Sequence, residues 1–146
     1  MSGEPFILRE NRGPLRLLTL NRPQVRNAMS VPLMHDLLAA LNEARTDSTV
    51  RAVVLTGAGS AFCAGLDLDE LRGLGERTRE QHRADSGVFR SLLETLYLFP
   101  KPVVAAVQGH AVTGGRGWPP SATSRWWPTP RRWGSRKRAS ASSRHW

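Results

Sequence analysis

The sequence predicts an α/β fold, and three observations carry that expectation. Two apolar runs, Ala52–Leu55 and Val103–Val107, read as buried strands, and each is followed by a glycine-rich turn. Between and before them lie two stretches with leucines at helical spacing, Leu33, Leu37, Leu38 and Leu41, then Leu92, Leu93 and Leu96 with Phe99. Strands alternating with helices imply an α/β fold. The four residues of Ala52–Leu55 lack polar alternation, which predicts a strand buried on both faces.

In chain order, residues 1–5 read as a loose end. Phe6–Arg9 and Leu15–Leu20 flank Asn11-Arg12-Gly13-Pro14, a turn cluster, so a β-hairpin is expected. Asn21-Arg22-Pro23 closes its second strand, and the polar, aperiodic stretch 24–30 reads as a loop. Ser30 is placed to cap a helix starting at Val31-Pro32, where a proline's missing N–H costs nothing. That helix is expected to end near residues 45–48 and to lead into a strand over Val50–Thr56. Gly57–Ser60 then turns the chain, and beyond Phe62-Cys63-Ala64-Gly65 the pattern becomes helical, with Leu68 and Leu71 three apart. Arg72–Asp85, charged and broken by Gly73 and Gly75, reads as a mobile surface segment. A helix is expected over Val88–Phe99, stopped by Pro100 and Pro102. After Val103–Val107 comes the second glycine turn, Gly109–Gly115.

Composition narrows the function classes. At 146 residues the chain suits one domain with a real core. Of its formal charge of +9, +8 lies in residues 116–146, which hold eight Lys and Arg, no Asp or Glu, and all five Trp; residues 1–115 carry +1. The basicity belongs to the tail. The one cysteine, Cys63, excludes an internal disulfide and a cysteine metal cluster, and with no His near it in sequence it reads as a buried structural thiol. His35, His82, His110 and His145 are scattered, so no metal site is expected. No run is long and apolar enough to cross a bilayer, and the N-terminus lacks a leader pattern, so residues 1–115 are expected to be cytoplasmic, with no membrane partner.

A strand, a glycine-rich turn and a helix start aim free backbone N–H groups at whatever sits there. Two such devices could hold one developing oxyanion between two donors. The stretches carrying them, NRPQVRNAMS, VVLTGAGSAFCAGLDL and KPVVAAVQGHAVTGG, resemble the crotonase superfamily, the enoyl-CoA hydratase/isomerase group, collinearly over residues 6–115. The resemblance implies a crotonase-like ββα-spiral core, homotrimers or hexamers for the full-length family, and acyl-CoA thioester substrates. Coenzyme A enters only as part of the substrate, with no further cofactor. It further implies that the backbone N–H groups of Leu66 and Gly114 form the oxyanion hole. Ala64, Gly65, Leu66, Asp67 and Leu68 would line the pantetheine arm, and Arg26 and Ala28 would meet the nucleotide end. Asp67 and Asp69 also sit at a predicted helix N-terminus, where the dipole favours acids. For His110 packing is the default expectation.

The resemblance stops after Gly115. Hydratases of the family carry one catalytic Glu just beyond the second glycine turn and another in a later PE segment, acting together as acid and base. Gly117 stands at the first position, and nothing acidic follows it. The tail, RGWPPSATSRWWPTPRRWGSRKRASASSRHW, has no apolar period. It reads as a disordered extension, as a nucleic-acid arm of Trp and Arg, or as the family's own sequence in the wrong frame. Taking the third base of each codon with the first two of the next, Trp118-Pro119 must give Ala, Trp126-Trp127 Val, Trp127-Pro128 Ala and Trp133-Gly134 Gly. Favourable codons elsewhere yield G-L-A…C-D-L-A-V-V-A-D-P-A-A-V-G-F-P-E-A-R-V-G-F-V-P-A-L, similar to the next crotonase segment. The expectation is a crotonase-like domain over 1–115 that is incomplete, a frameshifted irregular tail over 116–146, and a truncated, inactive chain that exposes the apolar faces of its strands. The alternative is a non-catalytic nucleic-acid binder acting through the tail. Acyl chain length and reaction type are not readable from these residues.

Overall fold

The computed structural model describes residues 4–111, except for the side chain of Leu74. The tail over 116–146 and Gly114 lie outside the described residues. The predicted hairpin forms from β1 (Ile7–Arg12) and β2 (Leu15–Leu20), antiparallel with Ile7 opposite Leu20 and Arg12 opposite Leu15. Gly13, at φ 57°, makes the turn. Helix α1 (Val31–Thr46) then carries the chain to β3 (Ala52–Gly57), which lies parallel to β2 with Leu18 opposite Leu55. Beyond β3 come β4 (Ala61–Cys63), α2 (Leu68–Arg72), α3 (Arg79–Tyr97), β5 (Val103–Ala105) and β6 (His110–Ala111). One sheet has the order β1-β2-β3-β5, with β5 parallel to β3; β4 and β6 form a second, two-stranded parallel sheet. The first expectation, an α/β fold, holds.

Helix α1 starts as its sequence predicts. Ser30 is extended, its hydroxyl accepts from the Leu33 N–H at 3.4 Å, and Pro32 occupies the first turn. Its apolar stripe, Leu33, Leu37 and Leu41 with Ala40 and Ala44, is buried against the sheet and α3, where it meets Leu18, Val53, Leu92 and Leu96. The last turn is closed from outside: the Lys101 ammonium donates to the Ala44 carbonyl at 2.6 Å and the Asp47 carbonyl at 2.7 Å. A cation at the negative end of the helix satisfies carbonyls that no helical N–H can reach.

Four expectations need correction. Arg72–Asp85 is not a loose surface segment. It contains a short 3-10 turn, Gly73–Glu76, and the first turns of α3. Thr78 caps that helix reciprocally with Gln81: the Thr78 hydroxyl accepts from the Gln81 N–H at 3.2 Å, and the Gln81 side chain accepts from the Thr78 N–H at 2.8 Å. Arg77 fastens the start by pairing with Glu70 and with Asp85. The charged first half of α3 shows no apolar period because it buries little, so pattern alone could not find it. Substituting Thr78→Ala is expected to cost about 1 kcal/mol, read as a lower urea midpoint with unchanged slope.

The strand at 52–55 is buried on one face, by Val53 and Leu55, while Ala52 and Val54 are half-buried. The second strand ends at Ala105, and of its residues only Val103 is buried; Val104 is 54% exposed. Leu68 and Leu71, read as a helical apolar pair, stand in solvent on α2. Their helix is one of only five residues and has no buried face. Among the described residues, no helix is long and apolar enough to cross a membrane.

Candidate functional site

The residues of the first two sequence motifs converge where β4 leaves the core. Pro23–Val25 forms a short 3-10 turn, after which Arg26 and Asn27 both adopt left-handed backbone conformations, φ 53° and 57°. Asn27 is fully buried. Its Oδ1 accepts from the Arg22 N–H at 2.9 Å, and its Nδ2 donates to the Ala58 and Ala61 carbonyls at 2.9 and 2.8 Å. This one side chain ties the 22–29 loop to the turn after β3 and to the start of β4. The loop then runs beside the stretch from Ala64 to Asp67, and a parallel bridge pairs Met29 with Leu66.

In that stretch most backbone donors are engaged. The Ala64 N–H donates to the Arg26 carbonyl at 3.0 Å, the Gly65 N–H to Cys63 Sγ at 3.4 Å, and the Asp67 N–H to the Met29 carbonyl at 3.0 Å. Among the described residues, the Leu66 N–H has no acceptor. In the other direction, the Met29 N–H donates to the Gly65 carbonyl at 2.7 Å. In a trans peptide the C=O and N–H point opposite ways. Anchoring the Gly65 carbonyl on Met29 therefore aims the Leu66 N–H away from the loop. Gly65 reaches this geometry at φ 92°, a region that side chains rarely allow. The result is an aimed, unpaired donor on a fixed backbone, beside an exposed Leu66 side chain.

Asp67 is buried, and its role is local. Its carboxylate accepts from the Asp69 N–H at 3.0 Å, capping α2, and pairs with the Arg22 guanidinium at 2.6 Å. Burial pushes its carboxyl up, but the Arg22 guanidinium and the Asp69 and Glu70 N–H groups outweigh burial and hold it below the ordinary carboxylate value. A carboxylate held down in this way stabilises the fold at every pH above its unfolded value, about 3.9. That contribution is lost as pH falls through the lower folded value. Urea unfolding of the wild type and of Asp67→Asn, compared at descending pH, is expected to show a difference that is full above about pH 4 and shrinks below it.

The other expected site residues are placed as follows. Ala64 is half-buried and Gly65 buried beside Leu66, and Leu68 is exposed on α2. Arg26 is exposed at the outer edge of the loop. Ala28 is buried, so its methyl faces the interior and only the loop's other atoms present a surface. Asp69 is exposed and pairs with Arg72. His110, expected to pack, is exposed in β6 opposite Ala61. Cys63 is buried, and burial pushes its thiol up, as befits a structural cysteine. Gly114 lies three residues beyond β6, whose Ala111 pairs with Cys63. Among the described residues, no three His, Cys, Asp or Glu side chains gather as metal ligands. Sequence reasoning missed Asn27 and Arg22. The available signal was an asparagine, which after glycine tolerates a left-handed backbone best, inside a turn that follows a proline.

The pattern of the enoyl-CoA hydratase/isomerase family matches residues 10–118. A relative from Thermus thermophilus is 43% identical over 106 residues, covering 73% of this chain and 42% of that protein. The enoyl-CoA hydratase EchA19 of Mycobacterium tuberculosis is 35% identical over 114 residues, 76% of this chain and 42% of that one. Among solved structures, AtuE of Pseudomonas aeruginosa superposes with a TM-score of 0.67 at 41% identity, covering 71% of this chain and 40% of that chain. The chain thus spans about two fifths of the length of the curated relatives it matches, 42% and 37% for the first two.

Proposed function

The chain belongs to the enoyl-CoA hydratase/isomerase family, and we propose that its described core binds an acyl-CoA thioester with the thioester oxygen on the Leu66 N–H. The observation that carries this reading is the Leu66 donor, aimed away from the 22–29 loop and without an acceptor among the described residues, between neighbours whose donors are engaged. By the family resemblance, the second donor would be the N–H of Gly114, which lies outside the described residues. When the acyl thioester loses an α-proton, or an α,β-unsaturated thioester gains a nucleophile at its β-carbon, negative charge moves onto that oxygen. Donors fixed in advance lower the barrier without reorganising, raising the rate by about a hundredfold or more for each. Ala64, Gly65 and Leu68 flank the pantetheine arm. Asp67 contributes through its backbone, since its carboxylate is engaged with Arg22 and the α2 N-terminus. Arg26, exposed and cationic, meets the nucleotide phosphates.

The chain as written is read as inactive in hydration. Gly117 stands where the family resemblance expects the first acid–base Glu, and favourable codon choices for residues 116–146 would give a crotonase-like continuation one frame away. The test is isothermal titration of butyryl-CoA together with a crotonyl-CoA turnover assay. Salt-tolerant binding without turnover above background is the expected result. Absence of binding overturns the site, and turnover overturns the inactivity. Sequencing of the coding DNA separates a lost base from a genuine tail: if no single-base restoration recovers the string, the frameshift reading falls. Were the basic tail a nucleic-acid arm instead, binding to single strands would weaken steeply with salt and vanish on deleting residues 116–146.

A further inference from the structure

The Leu66 donor does not stand alone: two peptide units connect it to a half-buried cation, Arg22. Arg22 Nη1 donates to the Ala28 carbonyl at 2.9 Å. That carbonyl shares its peptide with the Met29 N–H, which donates to the Gly65 carbonyl at 2.7 Å. The Gly65 carbonyl in turn shares its peptide with the Leu66 N–H. Because trans peptides present C=O and N–H in opposite directions, the three groups form a head-to-tail row. It runs from guanidinium to Ala28–Met29 peptide to Gly65–Leu66 peptide, and ends in an unpaired N–H.

The geometry points to Arg22 as the positioning residue of the oxyanion donor, orienting and polarising the Leu66 N–H through the Ala28–Met29 peptide. This rests on the thioester reading of the site. A charged donor at the head of the row strengthens each hydrogen bond after it, because a peptide whose carbonyl accepts becomes a better donor at its N–H. The row is sheltered: Ala28, Met29 and Gly65 are buried. Little water competes there, so the polarity of each peptide acts on the next. Arg22 is itself held on several sides. Asp67 pairs with it at 2.6 Å, its guanidinium lies 5.9 Å from the centre of the Phe6 ring, and its own N–H donates to Asn27. Met29 also fixes the far side of the donor, since its carbonyl accepts from the Asp67 N–H. Both peptides flanking Leu66 are thus set by one residue, and Arg22 sets that residue.

Two measurements on the full chain test this, with Arg22→Gln and Asp67→Asn as variants. Asp67→Asn keeps a good helix cap while removing the countercharge. In the first, hydrogen exchange and amide shifts are followed by NMR on protein labelled with 15N at Met and Leu. Arg22→Gln is expected to speed Met29 exchange about tenfold or more, the equivalent of one lost bond to a charged group. It should also move the Leu66 amide proton upfield, with the Leu37 and Leu41 amides of α1 unchanged. Should Arg22→Gln lose protection throughout α1, Asp67→Asn decides, with faster Met29 exchange expected while α1 stays intact. Unchanged Met29 and Leu66 signals in a folded variant overturn the row.

In the second, butyryl-CoA labelled with 13C at the thioester carbonyl is bound to each protein. Wild type is expected to move the carbonyl signal downfield, and Arg22→Gln to lose most of that movement while still binding. A wild-type shift retained in full by the variant overturns the role of Arg22 alone. A wild type that binds the thioester without moving its carbonyl overturns the oxyanion-hole reading, and the role of Arg22 with it.

Discussion

Replacing Asn27 by alanine is expected to remove roughly 3–5 kcal/mol of stability, read as a large drop in the urea midpoint. Asn27 is the fully buried polar side chain at the centre of the site; one of its three hydrogen bonds closes its own loop and the other two cross to the turn after β3 and the start of β4. Alanine leaves the Arg22 N–H and the Ala58 and Ala61 carbonyls without this partner in a place water reaches poorly. Alanine also tolerates the left-handed backbone at φ 57° less readily than asparagine does. Two further variants separate these causes. Asn27→Gly carries no backbone penalty, so the difference between glycine and alanine isolates the left-handed conformation. Asn27→Asp keeps the acceptor for Arg22 but turns a carboxylate oxygen towards two carbonyls. It is expected to be at least as damaging as alanine at neutral pH and to recover in part on acidification, when protonation restores a donor. If Asn27→Ala unfolds within a few tenths of a kcal/mol of wild type, the loop is not anchored by this residue.

The contrast between Ser30 and Asn27 explains what could be read from sequence. Ser30 acts on its own helix three residues away, and the hairpin turn, the leucine stripe of α1 and the prolines after α3 also work within a few residues of themselves. Such signals survive in a string of letters. Asn27 acts on carbonyls 31 and 34 residues away, and Arg22 on a carboxylate 45 residues away, so their importance depends on a fold that brings the segments together. The early half of α3 escaped for a different reason: its stability comes from the Thr78–Gln81 cap and the Arg77 pairs, while its apolar face begins only near Val88. Leu66 was placed by resemblance, and its unpaired N–H is a property of the backbone that no side-chain letter encodes. Strand β4 is three residues long and follows a turn at once, so its alternation is too short to register.

Gly57→Ala is expected to be strongly disruptive. An alanine Cβ there would fall under 3.0 Å from the Ala61 and Phe62 carbonyl oxygens and 2.7 Å from Asn27 Nδ2. Two of these three obstacles are backbone atoms at the start of β4, so the turn after β3 must open for the methyl to enter. Opening it would pull the Ala61 carbonyl from Asn27 and disturb the Gln108 side chain, which donates to the Gly57 and Ala61 carbonyls. The change therefore attacks the same joint as Asn27→Ala from the opposite side, and the two effects are expected to be far from additive. A cost of about 3 kcal/mol or more is expected for Gly57→Ala. In the double variant the second substitution should cost clearly less than it does alone, because the joint is already open. Gly75→Ala is the control: nothing lies within 4 Å of its added methyl, so its unfolding midpoint should stay close to wild type. Equal midpoints for Gly57→Ala and Gly75→Ala would show that the close approach of β3 and β4 does not hold this site together.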